Sequence, residues 1–279
     1  MKAFLRRFAR NYGALFGVSI LLVVLFLAAT ASLLYEDSPW TMVAAPLIAP
    51  FTDAALPLGT DMLGRDITAG MLYGARVSLL VGLVSTLVAL VFGILIGAVA
   101  GYGGGRIDDA LMRLTEFFQT IPQLAMAVVI VAIFSPSLVT IVGAIAVVSW
   151  PPVARLVRAE FMSLKQREFV QAAVVTGQKP LRIIASQILP NALSPIIVTA
   201  SFMVATAILT ESALSFLGLG ERNMMSWGYM IGAARTMLRQ AWWMSVWPGL
   251  AILLTVLAIN LIGEGLNDAL NPQLRQRGE

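Results

Sequence analysis

The sequence predicts an all-α polytopic membrane protein with six transmembrane helices. Three observations predict it. Of 279 residues, 58% are hydrophobic and only 12% charged, with a mean hydropathy of +0.84. A soluble domain carries about twice that charged fraction. The apolar residues fall in long unbroken runs, not in the short alternating strands of a membrane β-barrel. Those runs reach the ~20 residues that a helix needs to cross hydrocarbon.

Residues 1–34 combine a basic arm (Lys2, Arg6, Arg7 and Arg10) with an uncharged run over 14–34. The run is too long for a cleaved signal peptide and fits an uncleaved anchor. Residues 35–76 form a first loop and lead-in, rich in Pro and Asp, that holds LGTDMLGRD at 58–66. A core over 77–266 follows, with spans expected at about 77–100, 114–134, 138–156, 191–217 and 246–263. Gly93, Gly97 and Gly101 share one face of the second span. Small residues so spaced let helices approach closely in lipid, here within this chain rather than in a dimer. The stretch 117–154 carries no charge and suits two spans joined at Ser135, Pro136 and Ser137. Pro122, Pro151 and Pro152 are expected to kink or shorten them. In the loop 218–244, Trp227, Trp242 and Trp243 suit a membrane interface. Its uncharged piece 223–234 is too short to cross and reads as a re-entrant or interfacial helix. Residues 267–279 form a tail.

Six spans put both termini on one side. Fourteen of the 19 Lys and Arg residues then lie on that side: in the N-terminal arm, at 101–113, at 155–190 and in the tail. The positive-inside rule makes that side, both termini included, cytoplasmic. The net charge of +4 is explained by these loops, and no aromatic-interleaved basic patch supports nucleic-acid binding.

The loop over 157–190 is the longest polar interruption in the second half. Within it, LKQREFVQAAVVTGQKPLRIIASQILP (164–190) keeps apolar residues at helical spacing: Phe169, Ala172, Ala173 and Thr176, then Leu181, Ile184, Ala185 and Ile188. Two short amphipathic helices fit. Gly177 sits where the first ends, because glycine takes a left-handed cap without a Cβ penalty. Pro180 sits where the second begins, its φ already set for a first turn. Pro190 marks the start of the next apolar run. Spacing alone leaves two readings open: an element that presses into a groove of a soluble partner, or a solvated basic loop that only fixes orientation.

The chain offers little chemistry of its own. Cysteine and histidine are absent, which removes thiolate and imidazole ligands, Cys nucleophiles and a His base. No metal cluster and no catalytic residue is expected. No GxxxxGK[ST] loop is present, so ATP is not bound in the P-loop manner. Glu211 is the one carboxylate inside an apolar run. Such acids are costly in a membrane and draw functional suspicion; near the end of its span, Glu211 fits a helix–helix hydrogen-bond partner better than a pore group. No duplicated halves of the carrier type are apparent, which suggests one half of a pore completed by a second subunit.

With these residues in view, the chain resembles a type I ATP-binding-cassette importer permease, most closely the second permease of the dipeptide/oligopeptide/nickel class. The central loop is similar to that family's E-A-A-x-x-x-G motif: Gln171, Ala172 and Ala173, three residues, Gly177, then Leu189 and Pro190. Gln171 replaces the family's Glu, and Gln187 its Ile. LGTDMLGRD (58–66), LYGARVSLLVG (72–82), AGYGGG (100–105), ESALSFLGLG (211–220) and GEGLNDALNP (263–272) are similar to that class as well. The resemblance implies a heterodimeric pore with a second permease subunit, two cytoplasmic ATPase subunits that carry the ATP and Mg, and an extracytoplasmic substrate-binding protein. The chain itself then binds no cofactor and is not an enzyme. It implies a bacterial inner-membrane location and peptide transport, with nickel or another small solute as the alternative and an ATP-independent channel or carrier as a further one. Glu168, Gln171, Ala172, Ala173, Gly177, Leu189 and Pro190 would form the coupling contact with an ATPase, and residues 218–244 would face the binding protein.

Overall fold

A computed structural model describes residue 4 and residues 7–270. Ten α-helices follow in order: α1 Tyr12–Leu34, α2 Ile67–Gly103, α3 Gly105–Thr120, α4 Gln123–Phe134, α5 Leu138–Lys165, α6 Glu168–Val175, α7 Pro180–Ile183, α8 Leu189–Leu214, α9 Trp227–Ala234 and α10 Trp243–Leu270. Five stretches are long and apolar enough to cross a membrane: α1, α2, α5, the continuous 40 residues Pro180–Leu219 that contain α7 and α8, and α10. A sixth crossing is available only if α3 and α4 count together, and they meet at 84°. The span expected over about 114–134 is therefore a bent pair, broken at the proline expected to kink it. Ile121 is extended and Pro122 caps α4, because the residue before a proline is pushed out of the helical region. Pro151 and Pro152 behave differently. They lie inside an unbroken α5, whose span continues to Lys165 rather than ending near 156.

The centre of the molecule is the crossing of α2 over α5. A Cβ on Gly93 would lie 2.5 Å from Val153, one on Gly97 2.4 Å from the Ala154 carbonyl oxygen, and one on Gly101 2.7 Å from both the Arg158 oxygen and Phe161. The glycine stripe thus seats helix on helix within one chain, as its spacing predicts. α1 lies against α10, with Gly17 over the Ala258 carbonyl.

Contacts between helix ends sort the faces. Asn11, the N-cap of α1, donates to Asp268 near the end of α10 at 3.0 Å. Lys165 at the end of α5 donates to the Tyr102 carbonyl at the end of α2 (2.7 Å) and lies 5.1 Å from the Tyr102 ring centre. At the opposite face, Trp243 at the start of α10 donates to the Thr60 carbonyl at 3.1 Å. α6 and α7 leave from Lys165, so they share a face with the start of α1 and the end of α10. Of the tail, residues 267–270 continue α10; residues 271–279 lie outside the described residues.

The LGTDMLGRD stretch is a folded knot. Gly59 and Gly64 take positive φ, Asp61 accepts from the Leu63 and Arg65 amides, and Asp66 caps α2 through the Thr68 amide at 2.7 Å. Trp227 and Trp243 are core residues, 2% and 6% exposed; only Trp242 of the three is placed like an interfacial anchor. Their N–H groups find the Met71 and Thr60 carbonyls, which is what lets tryptophan sit inside.

Candidate functional site

The base of α5 is held from two sides. Lys165 ties it to α2, and Arg158 makes a two-point ion pair with Asp108 of α3, both contacts at 2.5 Å. From that fixed post the chain turns at Gln166 and enters α6. Eight residues do not hold a helix in water alone, so α6 depends on what it buries. Val170 and Ala173 point inward and join Val157, Phe161, Ile183, Ile188 and Ala192 in one cluster. Complete burial of side chains such as Val170 and Ile183 contributes about 1.5–3 kcal/mol each.

α6 stops at a Schellman cap. The Gly177 amide donates to the Val174 carbonyl at 3.0 Å and the Gln178 amide to the Ala173 carbonyl at 3.1 Å. Gly177 has φ +73°, and a Cβ there would meet nothing within 4 Å. Glycine is required at this position by backbone conformation, not by space. Pro180 opens α7 at its first turn. The helix then widens: the Leu189 amide reaches back five residues to Ile184 rather than four. This π-turn immediately precedes Pro190, whose ring would clash with the carbonyl four residues earlier in a regular helix. Pro190 therefore does not separate loop from span. It lies within a helix that runs on from Pro180.

The seven loop residues singled out by sequence divide into two sets. Ala173 is buried and Leu189 half-buried, and both hold the loop to the core. Glu168, Gln171, Ala172, Gly177 and Pro190 are exposed. The inward stripe of α6 is Val170 and Ala173; of the Phe169, Ala172, Ala173 and Thr176 set that spacing alone suggested, only Ala173 is buried. Gln171 turns its amide back to the Lys165 carbonyl at 2.9 Å, a bond that an ionised Glu, an acceptor only, does not make. The outer surface is apolar for a loop: Phe169 is 42% exposed, Val175 85% and Leu181 80%. Basic Lys179 and Arg182 flank them.

Glu211 lies in the last turn of α8, 3% exposed. Its Oε1 accepts from Ser215 and Ser226, each at 2.8 Å. Ser226 is also the N-cap of α9, accepting from the Tyr229 amide at 2.9 Å. A Cβ on Gly228 would come within 2.8 Å of Oε2. The carboxylate thus pins the short α9 to α8. Oε2 has no hydrogen-bond partner among the described residues.

Sequence reasoning missed the Arg158–Asp108 pair. The signal was present: Arg155 and Arg158 sit on one face of an amphipathic continuation of α5, and Asp108 lies one turn into a charged helix. Their charges read as loop instead.

Comparisons with known proteins agree with this architecture. The model of the family described as binding-protein-dependent transport system inner membrane component matches residues 93–276. The chain is 42% identical to the di/tripeptide transport system permease protein DppC of Pseudomonas aeruginosa, over 99% of this chain and 93% of that one. It is 39% identical to the dipeptide transport system permease protein DppC of Bacillus subtilis, over 97% and 85%. Among solved structures, an inward-facing MetNI methionine ABC transporter superposes with a TM-score of 0.61 at 16% identity, covering 72% of this chain and 96% of that chain; the likeness concerns the fold. By the family match and these relatives, the chain belongs to the inner-membrane components of binding-protein-dependent transport systems.

Proposed function

We propose that this permease forms half of the pore of an ATP-driven importer of short peptides. In this reading a second permease completes the pore, two ATPase subunits bind on the cytoplasmic side, and an outer binding protein delivers the substrate. Both termini and the α6–α7 loop are cytoplasmic. The peptide assignment draws on the relatives, whose names specify di-, tri- and oligopeptides. The cytoplasmic assignment draws on the excess of basic residues on that side.

One observation carries the coupling role. α6 and α7 are clamped inward by Val170, Ala173 and Ile183, yet present Phe169, Val175 and Leu181 outward. A rigid helix–turn–helix with an unburied apolar ridge is shaped to enter a partner's groove. Closure of the ATPase pair on ATP would then move this knuckle as a rigid body and tilt α5 and α8, to which it is fused.

Replacement of Gly177 tests this. Valine at φ +73° is strained by at least 1–2 kcal/mol, so Gly177→Val should unwind the turn. Uptake by the complete transporter should fall about tenfold or more while ATP hydrolysis persists. Gly177→Asn, which tolerates the left-handed region, should retain most uptake. Normal coupled uptake in the valine variant would count against the docking role.

A further inference from the structure

The facing sides of α3 and α5 border an open groove of about 1050 Å³, at the upper end of ordinary small-molecule sites. Its walls carry Asp109, Arg113 and Glu116 from α3, and Arg155 and Arg158 from α5. Arg158 is neutralised by Asp108. Two cations and two anions remain, and among the described residues none of the four is in an ion pair. Arg155 has the Gln119 side chain as its polar partner at 2.9 Å; neither carboxylate engages it. Opposite charges that share a groove without pairing are arranged for something other than each other.

The height of the groove matters as much as its charge. At 1.5 Å per residue, Arg155 lies about 26 Å along α5 from its outer end and about 15 Å above Lys165. That places it toward the cytoplasmic end of the span, among the basic residues that mark that side, where charged side chains face water or protein, not lipid. The helices that carry them meet the rest of the chain on their other faces. Val153 and Val157 of α5 turn toward α2, whereas Arg155 and Ala159 are exposed.

We infer that this groove is a water-filled station at the cytoplasmic end of the translocation path that holds a short zwitterionic peptide by its two ends. The carboxylates of Asp109 and Glu116 receive the ammonium terminus, and the guanidiniums of Arg113 and Arg155 receive the carboxylate terminus. A guanidinium fork matches a carboxylate in two-point geometry, and a site built for both charges leaves them unpaired when either end is blocked. The inference rests on the peptide-importer reading above and assigns to it residues of this chain that touch the cargo.

The chain contains no cysteine, so one introduced thiol reports on the groove. Met112→Cys is placed in the complete transporter, reconstituted with its partner permease and ATPases in nanodiscs. Labelling of this subunit by a small charged thiosulfonate is timed. Dialanine at about three times its Kd should slow labelling about fourfold, as the free fraction falls to about a quarter. N-acetyl-dialanine amide, which carries neither charge, should not slow it. Arg155→Gln added to the reporter should abolish the protection. Ala159→Cys serves as a second reporter on the other wall, should Met112→Cys fail to assemble. Equal labelling with and without dialanine, equal protection by the neutral analogue, or a thiol shielded by the partner permease in every state would each overturn the assignment. ATP-driven dialanine uptake by the unsubstituted transporter tests the importer reading separately.

Discussion

At the scale of single residues, two buried carboxylates do opposite things. Glu211 is an acceptor for two hydroxyls from different elements. Glu211→Ala leaves both without that acceptor, at about 1–3 kcal/mol for each hydroxyl left unsatisfied. The expected result is a lower melting temperature of the purified transporter in detergent, with Glu211→Gln close to the parent because its amide oxygen still accepts. An alanine variant as stable as the parent would mean that the two serines find other partners at no cost. Asp66 caps α2 from the loop, and burial pushes its carboxyl above the ordinary value. An acid whose folded pKa is raised binds its proton more tightly when folded. Its favourable contribution is therefore present below the unfolded value of 3.8 and is lost as pH rises through the folded one. Asp66→Asn keeps the capping oxygen and removes the charge. It should match or exceed the parent's stability at pH 7–8, with the difference shrinking on acidification toward pH 5. A difference that grows on acidification would show that the carboxylate form is the favoured one.

At the scale of elements, the α2–α5 crossing shows what spacing alone can specify. Gly93, Gly97 and Gly101 recur every fourth residue, and period is a local property. Their partner face on α5 was not legible, because Arg155 and Arg158 gave that stretch the look of a loop. Both reach across to α3, Arg155 to the neutral Gln119 amide and Arg158 to the Asp108 carboxylate, side chains dozens of positions away. Gly97→Ala should cost about 1–3 kcal/mol by overpacking, since what blocks the new methyl is a backbone oxygen at 2.4 Å and not a flexible tip. The check is the yield of assembled transporter, and an unchanged yield would mean that α2 and α5 separate easily. The knuckle divides in the same way. Gly177 and Pro180 were readable because each acts through its own φ: glycine takes a positive value without a Cβ penalty, and proline fixes a helical one. Which face of α6 turns inward was not, because Val170 and Phe169 are equally apolar and the choice is made by Phe161 and Ile188 beneath. Trp227 and Trp243 of the 218–244 loop were misplaced for a related reason: an indole suits an interface, and it suits a core equally once its N–H has a carbonyl.

At the scale of the whole molecule, composition sets the class, and the charge count sets an expectation of which side is cytoplasmic. Neither reveals that one crossing is broken at Pro122, nor that α3 and α5 border a groove of mixed charge. Both depend on where separate helices meet. The architecture that results is a rigid α2–α5–α8 frame with a knuckle at one face, the α9 helix pinned by Glu211 toward the other, and a groove of mixed charge between α3 and α5 on the knuckle's side. The exposed ridge of α6 and α7 is the surface that the proposed coupling to an ATPase would use.

Cross-linking tests that contact most directly. Single cysteines at Ala172 and Val175, both exposed, and at Ala173, which is buried, are introduced in turn into the complete transporter. The account predicts adducts between this chain and an ATPase subunit from Ala172→Cys and Val175→Cys, their yield changing with ATP, and none from Ala173→Cys. No adduct from either exposed position, or modification of both by a membrane-impermeant reagent added outside intact cells, would contradict it.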